Sequence, residues 1–321
     1  MEIIRDLREL PPLPRGSAIT IGNFDGVHLA HQQLLDHVAK IAGSLRAIPA
    51  AVTFDPHPIR VLAPDRAPKI LTPLPQKARL IERQGIDLLV VLPFTRELAH
   101  LSPADFVQQI LAGQLKARCI SVGPNFRFGY RQAGDVNVLK ELSHKNGFTL
   151  EVLPNFEIRG QAVSSTRIRT LLSEGHVHRA GRLLGRPFSN SGTIISGRGD
   201  GRRYGVPTLN LSPSEEQLPQ VGIYVTRSRL GQDIFESVTS VGYSPTFGDH
   251  PLTIETYLLN FEGEVRETEM QVEYLHRLRD EIKFQNPAVL KVQIQDDVRR
   301  SLKFFRLLER FRKTKTSGGN R

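Results

Sequence analysis

The sequence predicts an α/β fold, a doubly wound parallel sheet with helices on its faces, followed by a smaller β-rich unit that ends in a helix. Three observations predict it. Up to about residue 185, short β-rich runs alternate with helical stretches, as they do when parallel strands are joined by crossover helices. From about residue 186, strand-like runs follow one another with only turn residues between them, the pattern of an antiparallel barrel or sandwich. From about residue 287, Ile294, Val298, Leu302 and Phe305 recur at three- and four-residue spacing, which marks a closing helix.

The elements are legible in order. The runs "AITI" (18–21), "AAVTF" (50–54), "DLLVVLPF" (87–94), "CISVG" (119–123) and "TLEVL" (149–153) read as buried strands. Between them, "HQQLLDHVAKIAG" (31–43), "PLPQKARLIERQG" (73–85) and "SPADFVQQILAGQLK" (102–116) carry helical periodicity. In the second half the strand-like runs are "SGTII" (191–195), "VPTLNL" (206–211), "GIYVTRSR" (222–229), "ESVTSVGY" (236–243), "LTIETYLLNF" (252–261) and "MQVEYLHRL" (270–278). A chain of 321 residues exceeds what one core usually fills. Two domains are therefore expected, over 1–185 and 186–312, with 313–321 as a basic tail.

Composition removes several functional classes. With 39 % apolar and 24 % charged residues, and no run near the ~20 apolar residues of a membrane span, the chain reads as soluble and globular. "MEIIRDLRELPP" is charged and lacks the apolar centre of a secretory segment. A single cysteine, Cys119, excludes an internal disulfide and has no metal-ligand spacing around it. The expected setting is a reducing cytoplasm, with no membrane partner, as a monomer or weak homo-oligomer. The net charge of +10 is concentrated in residues 299–321, which hold nine Lys or Arg against one Glu. Because the remainder is nearly balanced, this segment reads as a solvated helix end with a frayed "RKTKTSGGNR" rather than a nucleic-acid site.

The stretch "GNFDGVHLAHQ" (22–32) lies where the first of these strands hands over to a helix, the position at which open α/β sheets bind ligands. Gly22 and Gly26 allow a tight turn and a close backbone approach to an anion, and the helix adds its positive N-terminal end. His28 and His31 project to one side and can donate to a polyphosphate. Two other readings stand beside this one: satisfied core histidines, or a metal site completed by Asp25 and His57. Neither a dinucleotide-binding G-x-G-x-x-G nor a P-loop is present. In "SSTRIR" (164–169), Ser164, Ser165 and Thr166 can cap a helix, while Arg167 and Arg169 offer forked donors suited to phosphate. An ordinary N-cap with solvated arginines would use the same letters.

Together these residues resemble the nucleotidyltransferase superfamily, in the form carried by bacterial bifunctional riboflavin kinase/FAD synthetases. "GNFDGVHLAHQ" is similar to its H-x-G-H element, and "TFDPHP" (53–58), "VGPNFRFGYRQAGD" (122–135) and "SSTRIR" to further family segments. Ala30 stands where the family has the glycine of H-x-G-H. The resemblance implies a Rossmann-like nucleotidyltransferase domain in which the FMN phosphate attacks the α-phosphorus of ATP and pyrophosphate leaves. It makes His28, His31 and Arg169 the catalytic candidates, keeps Gly22 in the cofactor site as the close backbone approach to phosphate, and puts Asn23, Asp25, Asn125, Phe126, Arg127 and Phe128 toward FMN. The two phenylalanines suit a core equally well.

"GTIISGRGDGRRYGVPTLNL" (192–211) resembles the riboflavin kinase module, whose glycine-rich stretch precedes P-T-A-N, here Pro207, Thr208, Leu209 and Asn210. The resemblance implies a six-stranded antiparallel β-barrel with a terminal helix. Gly197, Gly199, Gly201 and Gly205 would give a flap over the nucleotide; alone, the segment is a glycine-rich hairpin. Thr208 and Asn210 fall on the same face of an extended strand and can hold Mg²⁺ with the ATP phosphates. "TIETYLLNF" makes Glu255 the candidate base for the riboflavin hydroxyl, since a carboxylate is ionised at pH 7; without the resemblance it reads as a solvent-facing strand residue. Ser244 replaces the family's asparagine before P-T-F. The expected activity is phosphorylation of riboflavin to FMN, then adenylylation of FMN to FAD, with ATP, riboflavin, FMN and Mg²⁺ as small-molecule partners. The alternative is a non-catalytic flavin or nucleotide sensor that could contact nucleic acid through its basic tail.

Overall fold

The computed structural model describes residues 1–195, 208–212, 216–243, 252–263, 265–282, 284 and 286–317. Gly197, Gly199, Gly201, Gly205, Pro207 and Ser244 lie outside the described residues. The chain divides into two compact units, Met1–Ser165 and Thr166–Arg321.

The first unit is built on six parallel strands, β1 (Glu2–Ile4), β2 (Ser17–Ile21), β3 (Ile48–Asp55), β4 (Leu88–Pro93), β5 (Ala117–Val122) and β6 (Thr149–Val152). Their order is β1-β4-β3-β2-β5-β6. The four inner strands, β2 to β5, are largely buried because both faces of the sheet are covered there, as expected for a parallel sheet, whereas the edge strands β1 and β6 are partly exposed. Helices α1 (Leu29–Leu45) and α2 (Leu74–Glu82) cover one face, where Leu35, Val38, Ala78 and Ile81 pack on Ala18, Ala51, Leu89 and Val91. Helices α3 (Phe106–Gln114) and α4 (Val136–Asn146) cover the other, where Phe106, Leu111 and Leu139 meet Ile19, Val52 and Val90. The chain runs outward from β2 through β3 to β4, then crosses back to β5. Strand order thus reverses between β2 and β5, which places a crevice at their C-terminal ends.

Two features depart from the sequence reading. The charged N-terminus supplies an edge strand, β1, paired in parallel with β4. Over α3 the predicted α-helix winds instead as a wide π-helix, with Leu115 N–H donating to the Ile110 carbonyl at 2.9 Å. Gly113 permits this, since a Cβ there would lie 2.7 Å from the Gln108 carbonyl oxygen. A short hairpin, β7 (Glu157–Ile158) with β8 (Gln161–Ala162), follows β6.

The second unit opens with α5 (Ser165–Ser173), whose first residue closes the first unit, and α6 (Val177–Leu184). A closed barrel follows: β9 (Phe188–Ile195), β10 (Thr208–Leu211), β11 (Gly222–Leu230), β12 (Asp233–Tyr243), β13 (Leu252–Leu258) and β14 (Glu269–Arg279), ordered β10-β13-β12-β11-β14-β9. Closure leaves no strand edge to be capped. The interior carries buried hydroxyls as well as apolar groups. Ser228, Ser237, Thr226, Thr239 and Thr256 form one chain with oxygen separations of 2.8, 2.8, 2.7 and 2.9 Å, so each buried hydroxyl is satisfied.

On the barrel's outer face, Val225, Val238 and Tyr257 receive Val298, Leu302 and Phe305 of α7 (Pro287–Ser317). The helix runs through Ser317 rather than fraying from Arg312, with 318–321 outside the described residues. A buried pair fixes it: the Arg279 guanidinium donates two-pronged to Asp297, the shorter contact at 2.6 Å. Gln293 Nε2 donates to the same carboxylate at 3.1 Å. Removing one partner of such a pair leaves an uncompensated buried charge. Asp297→Ala is accordingly expected to lower the unfolding free energy of the second unit by about 3 to 5 kcal/mol, read as a falling denaturation midpoint; an unchanged midpoint would show that the pair does not dock α7.

Candidate active site

In the first unit the loop from Gly22 to His28 joins β2 to α1 beside the crossover. It is tied down at several points. The Asp25 carboxylate, 3 % exposed, accepts from the backbone N–H of Leu71 at 2.9 Å and of Thr72 at 3.2 Å. The Asn23 carbonyl accepts from the Lys77 ammonium at 2.9 Å and from the Thr53 hydroxyl at 3.2 Å. The Ser165 hydroxyl donates to the Asp25 carbonyl at 2.8 Å. These ties hold Phe24 and Val27 at left-handed φ of 47° and 38°, a conformation that costs a non-glycine residue about 1 to 2 kcal/mol.

His28 is the N-cap of α1. Its Nδ1 accepts from the His31 N–H at 3.3 Å, which puts the proton of the neutral ring on Nε2. The two imidazoles stack with centroids 3.6 Å apart and planes 15° from parallel, and Phe24 meets His31 edge-on at 5.2 Å. His31 keeps part of its surface at the cleft, but its Nδ1 is buried without a hydrogen-bond partner. Burial first, then His28 and the Lys77 cation, hold its titration well below the ordinary histidine range, so the ring is neutral at pH 7.

Gly22, Phe24, Ala30 and His31 line one cleft with Asn125 and Phe126, which follow β5, and Pro154, Asn155 and Phe156, which follow β6. The two phenylalanines of the sequence reading divide here. Phe126 lines the cleft, whereas Phe128, 7 % exposed, belongs to the core beneath it, stacked on Phe126 at 5.4 Å. Gly134 lies so close to the Phe128 ring that a Cβ would approach it to 2.7 Å. Asp25 likewise corrects the sequence reading: its carboxylate turns inward to hold the loop. Asn23 contributes its carbonyl to that same tie. Arg127 pairs with Asp135, the N-cap of α4, at 3.3 Å. Ser164 and Ser165 are half-buried at the end of the first unit, and Thr166 and half-buried Arg169 lie on α5 in the second.

The metal reading of the histidines finds no support in the geometry. Among the described residues no three His, Cys, Asp or Glu side chains form a metal-holding group, and His57 instead caps a short helix through Nδ1, accepting from Ile59 N–H at 3.3 Å.

In the second unit, register does the positioning. β10 pairs with β13 so that Thr208 faces Tyr257 and Asn210 faces Glu255, and β13 pairs with β12 so that Glu255 faces Ser240. Facing residues share a side of the sheet with Cβ atoms about 5 Å apart. Thr208, Ser240, Glu255 and Tyr257 line a cleft on the outer wall, closed by Leu290, Ile294, Asp297 and Val298 of α7 and by Arg279 and Phe284. An apolar slot with a few convergent oxygens suits a flat ring carrying a polar chain.

Sequence reasoning missed Lys77, Asn155 and the Arg279–Asp297 pair. Lys77 had a signal: it falls with Leu74, Ala78 and Ile81 on the core-facing stripe of α2, where a lysine is out of place. The ion pair had none, because its partners are far apart in sequence.

Residues 10–167 match the family model described as FAD synthetase, and residues 184–305 match the riboflavin kinase model. Relatives include the bifunctional riboflavin kinase/FMN adenylyltransferase of Pseudomonas fluorescens, 34% identical over 93% of this chain and 96% of that one. The protein of the same description from Haemophilus influenzae is 34% identical over 95% of this chain and 99% of its own; that from Escherichia coli K12 is 33% identical over 96% and 99%. A solved structure described as a macrolide-efflux protein from Streptococcus pneumoniae superposes with a TM-score of 0.83 at 26% identity, covering 92% of this chain and 96% of that one. Among the described residues of this chain no helix is long and apolar enough to cross a membrane. Two family models in the order of the two units, and relatives matched along nearly their whole length, place the chain in the bifunctional riboflavin kinase/FMN adenylyltransferase family.

Proposed function

We propose that the chain phosphorylates riboflavin to FMN with ATP and then adenylylates FMN with a second ATP to give FAD and pyrophosphate. The observation that carries the kinase half is the register that sets Thr208, Asn210 and Glu255 on one outer face of the barrel. Glu255 accepts the proton of the ribityl hydroxyl as its oxygen attacks the γ-phosphorus of ATP, and ADP leaves. The Thr208 hydroxyl and Asn210 amide oxygen are the hard donors that Mg²⁺ takes, and the ion when bound neutralises phosphate charge. Gly197, Gly205 and Pro207 are assigned to the same nucleotide site by the sequence signature alone. The functional boundary is drawn near residue 185, at the start of the stretch that matches the riboflavin kinase model.

For adenylylation, the supporting observation is the cleft at the sheet crossover, which carries His31 and Asn125 together. An FMN phosphate oxygen attacks the α-phosphorus of ATP in line, and pyrophosphate departs. Charge spread over the phosphates is met by ring N–H donors of His28 and His31, with no covalent intermediate. Ser164, Ser165, Thr166 and Arg169 are assigned to the ATP phosphates on the S-S-T-x-x-R signature. Asn125, Phe126 and Arg127 are assigned to FMN.

Purified protein given riboflavin, ATP and Mg²⁺ is expected to yield both FMN and FAD by chromatography; binding without turnover would replace the enzyme by a sensor. Glu255→Ala should abolish FMN formation and leave conversion of supplied FMN to FAD intact. The double variant His28→Ala, His31→Ala should do the reverse. Loss of both activities in both variants would overturn this division of labour. Ala30→Gly removes a methyl group from the adenylylation cleft, and its FMN-to-FAD rate should equal or exceed that of the parent; a sharp fall would show that the turn needs the alanine.

A further inference from the structure

We infer that Lys77 is a positioning residue for adenylyl transfer: its ammonium holds the turn that seats His28 and His31 and places a fixed positive charge behind His31. The inference rests on the reading that His31 lies in the adenylylation site.

The geometry is that of an enclosed charge with a defined target. Lys77 is 9 % exposed on the buried stripe of α2. Its Nζ donates at 2.9 Å to the Asn23 carbonyl, one residue before the left-handed Phe24. That carbonyl's other donor is the Thr53 hydroxyl, at 3.2 Å. Phe24 in turn supports His31 edge-on. A chain of direct contacts thus leads from Lys77 through Asn23 and Phe24 to the ring that faces the cleft. A buried lysine is retained as a cation only when charge nearby offsets its lost hydration. Here burial lowers its titration while Asp25 and Asp55 raise it, so two carboxylates stand against the desolvation.

The groups facing His31 can be named element by element. His28 stacks on it from the N-cap, Phe24 meets it from the loop, and Lys77 acts from α2. The cleft-lining residues after β5 and β6, Asn125, Phe126 and Asn155, carry no charge. Behind Lys77 lie Asp25 and Asp55. A cation at this place disfavours protonation of His31, so the ring stays neutral when a polyanion draws near. Removing the cation raises the His31 pKa. Activity that needs the neutral ring is then lost at a higher pH as the medium is acidified.

The test uses the full chain with Lys77→Met, Lys77→Arg and His31→Gln. FMN adenylylation is followed from acidic to alkaline pH, riboflavin phosphorylation in the same preparations reports on the second unit, and NMR follows the His31 ring. Lys77→Met is expected to lower kcat for adenylylation by about 10- to 100-fold, with a smaller change in KM for ATP, unchanged phosphorylation, and an upward shift of both the acid limb and the His31 titration. Lys77→Arg keeps the charge but not the shape, so kcat should fall while the His31 titration stays in place. Parental kcat in Lys77→Met, or a loss with the His31 titration unmoved, overturns the inference. Should Lys77→Met fail to fold, Lys77→Arg decides: parental kcat overturns the inference, and a fall with the titration in place supports it. Failure of the underlying site reading shows separately, as parental adenylylation in His31→Gln.

Discussion

The first unit depends on how the chain gets from β2 into α1. The order of the strands makes the β2 terminus a crevice, but a crevice is useful only if the turn that fills it is rigid. Seven residues must reverse direction, pass two non-glycine residues through left-handed backbone, and start a helix. Local preference opposes this. The Asp25 carboxylate, held by the N–H groups of Leu71 and Thr72, is the tie that makes it possible, with the Asn23 carbonyl fixed by the Lys77 ammonium of α2. Charge-assisted bonds of this kind are worth roughly 1.5 to 3 kcal/mol each, enough to offset the strain at Phe24 and Val27. What this side presents to the cleft, the Gly22 backbone and the His31 ring, inherits its position from that turn, and so does the buried His28 cap.

The second unit solves a different problem with the same economy of residues. A barrel strand has two faces, and here the inner one is closed with packed apolar groups and a satisfied hydroxyl chain. This frees the outer face to carry both the apolar seat of α7 and the row of Thr208, Asn210 and Glu255 proposed for catalysis. The alternation is what allows it: Val238 and Ser240 point outward beside inward Ser237 and Thr239. A slip of one residue between β10 and β13 would turn Asn210 away from Glu255 and put polar groups against the helix. The buried bond between the Thr239 and Thr256 hydroxyls, on the residues next to Ser240 and Glu255, pins the register of β12 on β13 and so keeps Glu255 opposite Ser240.

Much of this was legible in the sequence because it rests on period and punctuation. Both-face burial makes parallel strands read as continuous apolar runs, and strand spacing without helices announced the barrel. The pair of histidines at a strand-to-helix junction stood out for the same reason. What escaped depends on partners distant in the chain. Glu2–Ile4 is too short and too charged at its flanks to read as a strand, and pairs only because β4 offers an open edge. Phe126 and Phe128 are alike in sequence and only two residues apart, yet the second lies in the core beneath the first. Asp25 reads as an FMN-side residue because the family resemblance puts it there. Its inward rotamer follows from the backbone N–H groups near residue 71, which no local pattern reveals.

In both units a buried charge stands where a hydrophobic residue of like volume would serve stability as well or better. Lys77 and Asp25 occupy such places in the first, Arg279 and Asp297 in the second. What a hydrophobic residue does not supply is direction. A methyl group fills space from any angle within its rotamer, whereas an ammonium on one carbonyl oxygen, or a guanidinium on one carboxylate, fixes a distance and an approach. Phosphoryl and adenylyl transfer depend chiefly on in-line placement and on matching developing charge, so the wall of the cleft has to be held to fractions of an ångström. The buried charges are therefore best understood as elements of alignment: Lys77 and Asp25 hold the turn that carries His31 to the first cleft, Arg279 and Asp297 stand in the wall of the second, and each tolerates a cost in desolvation that packing alone would avoid.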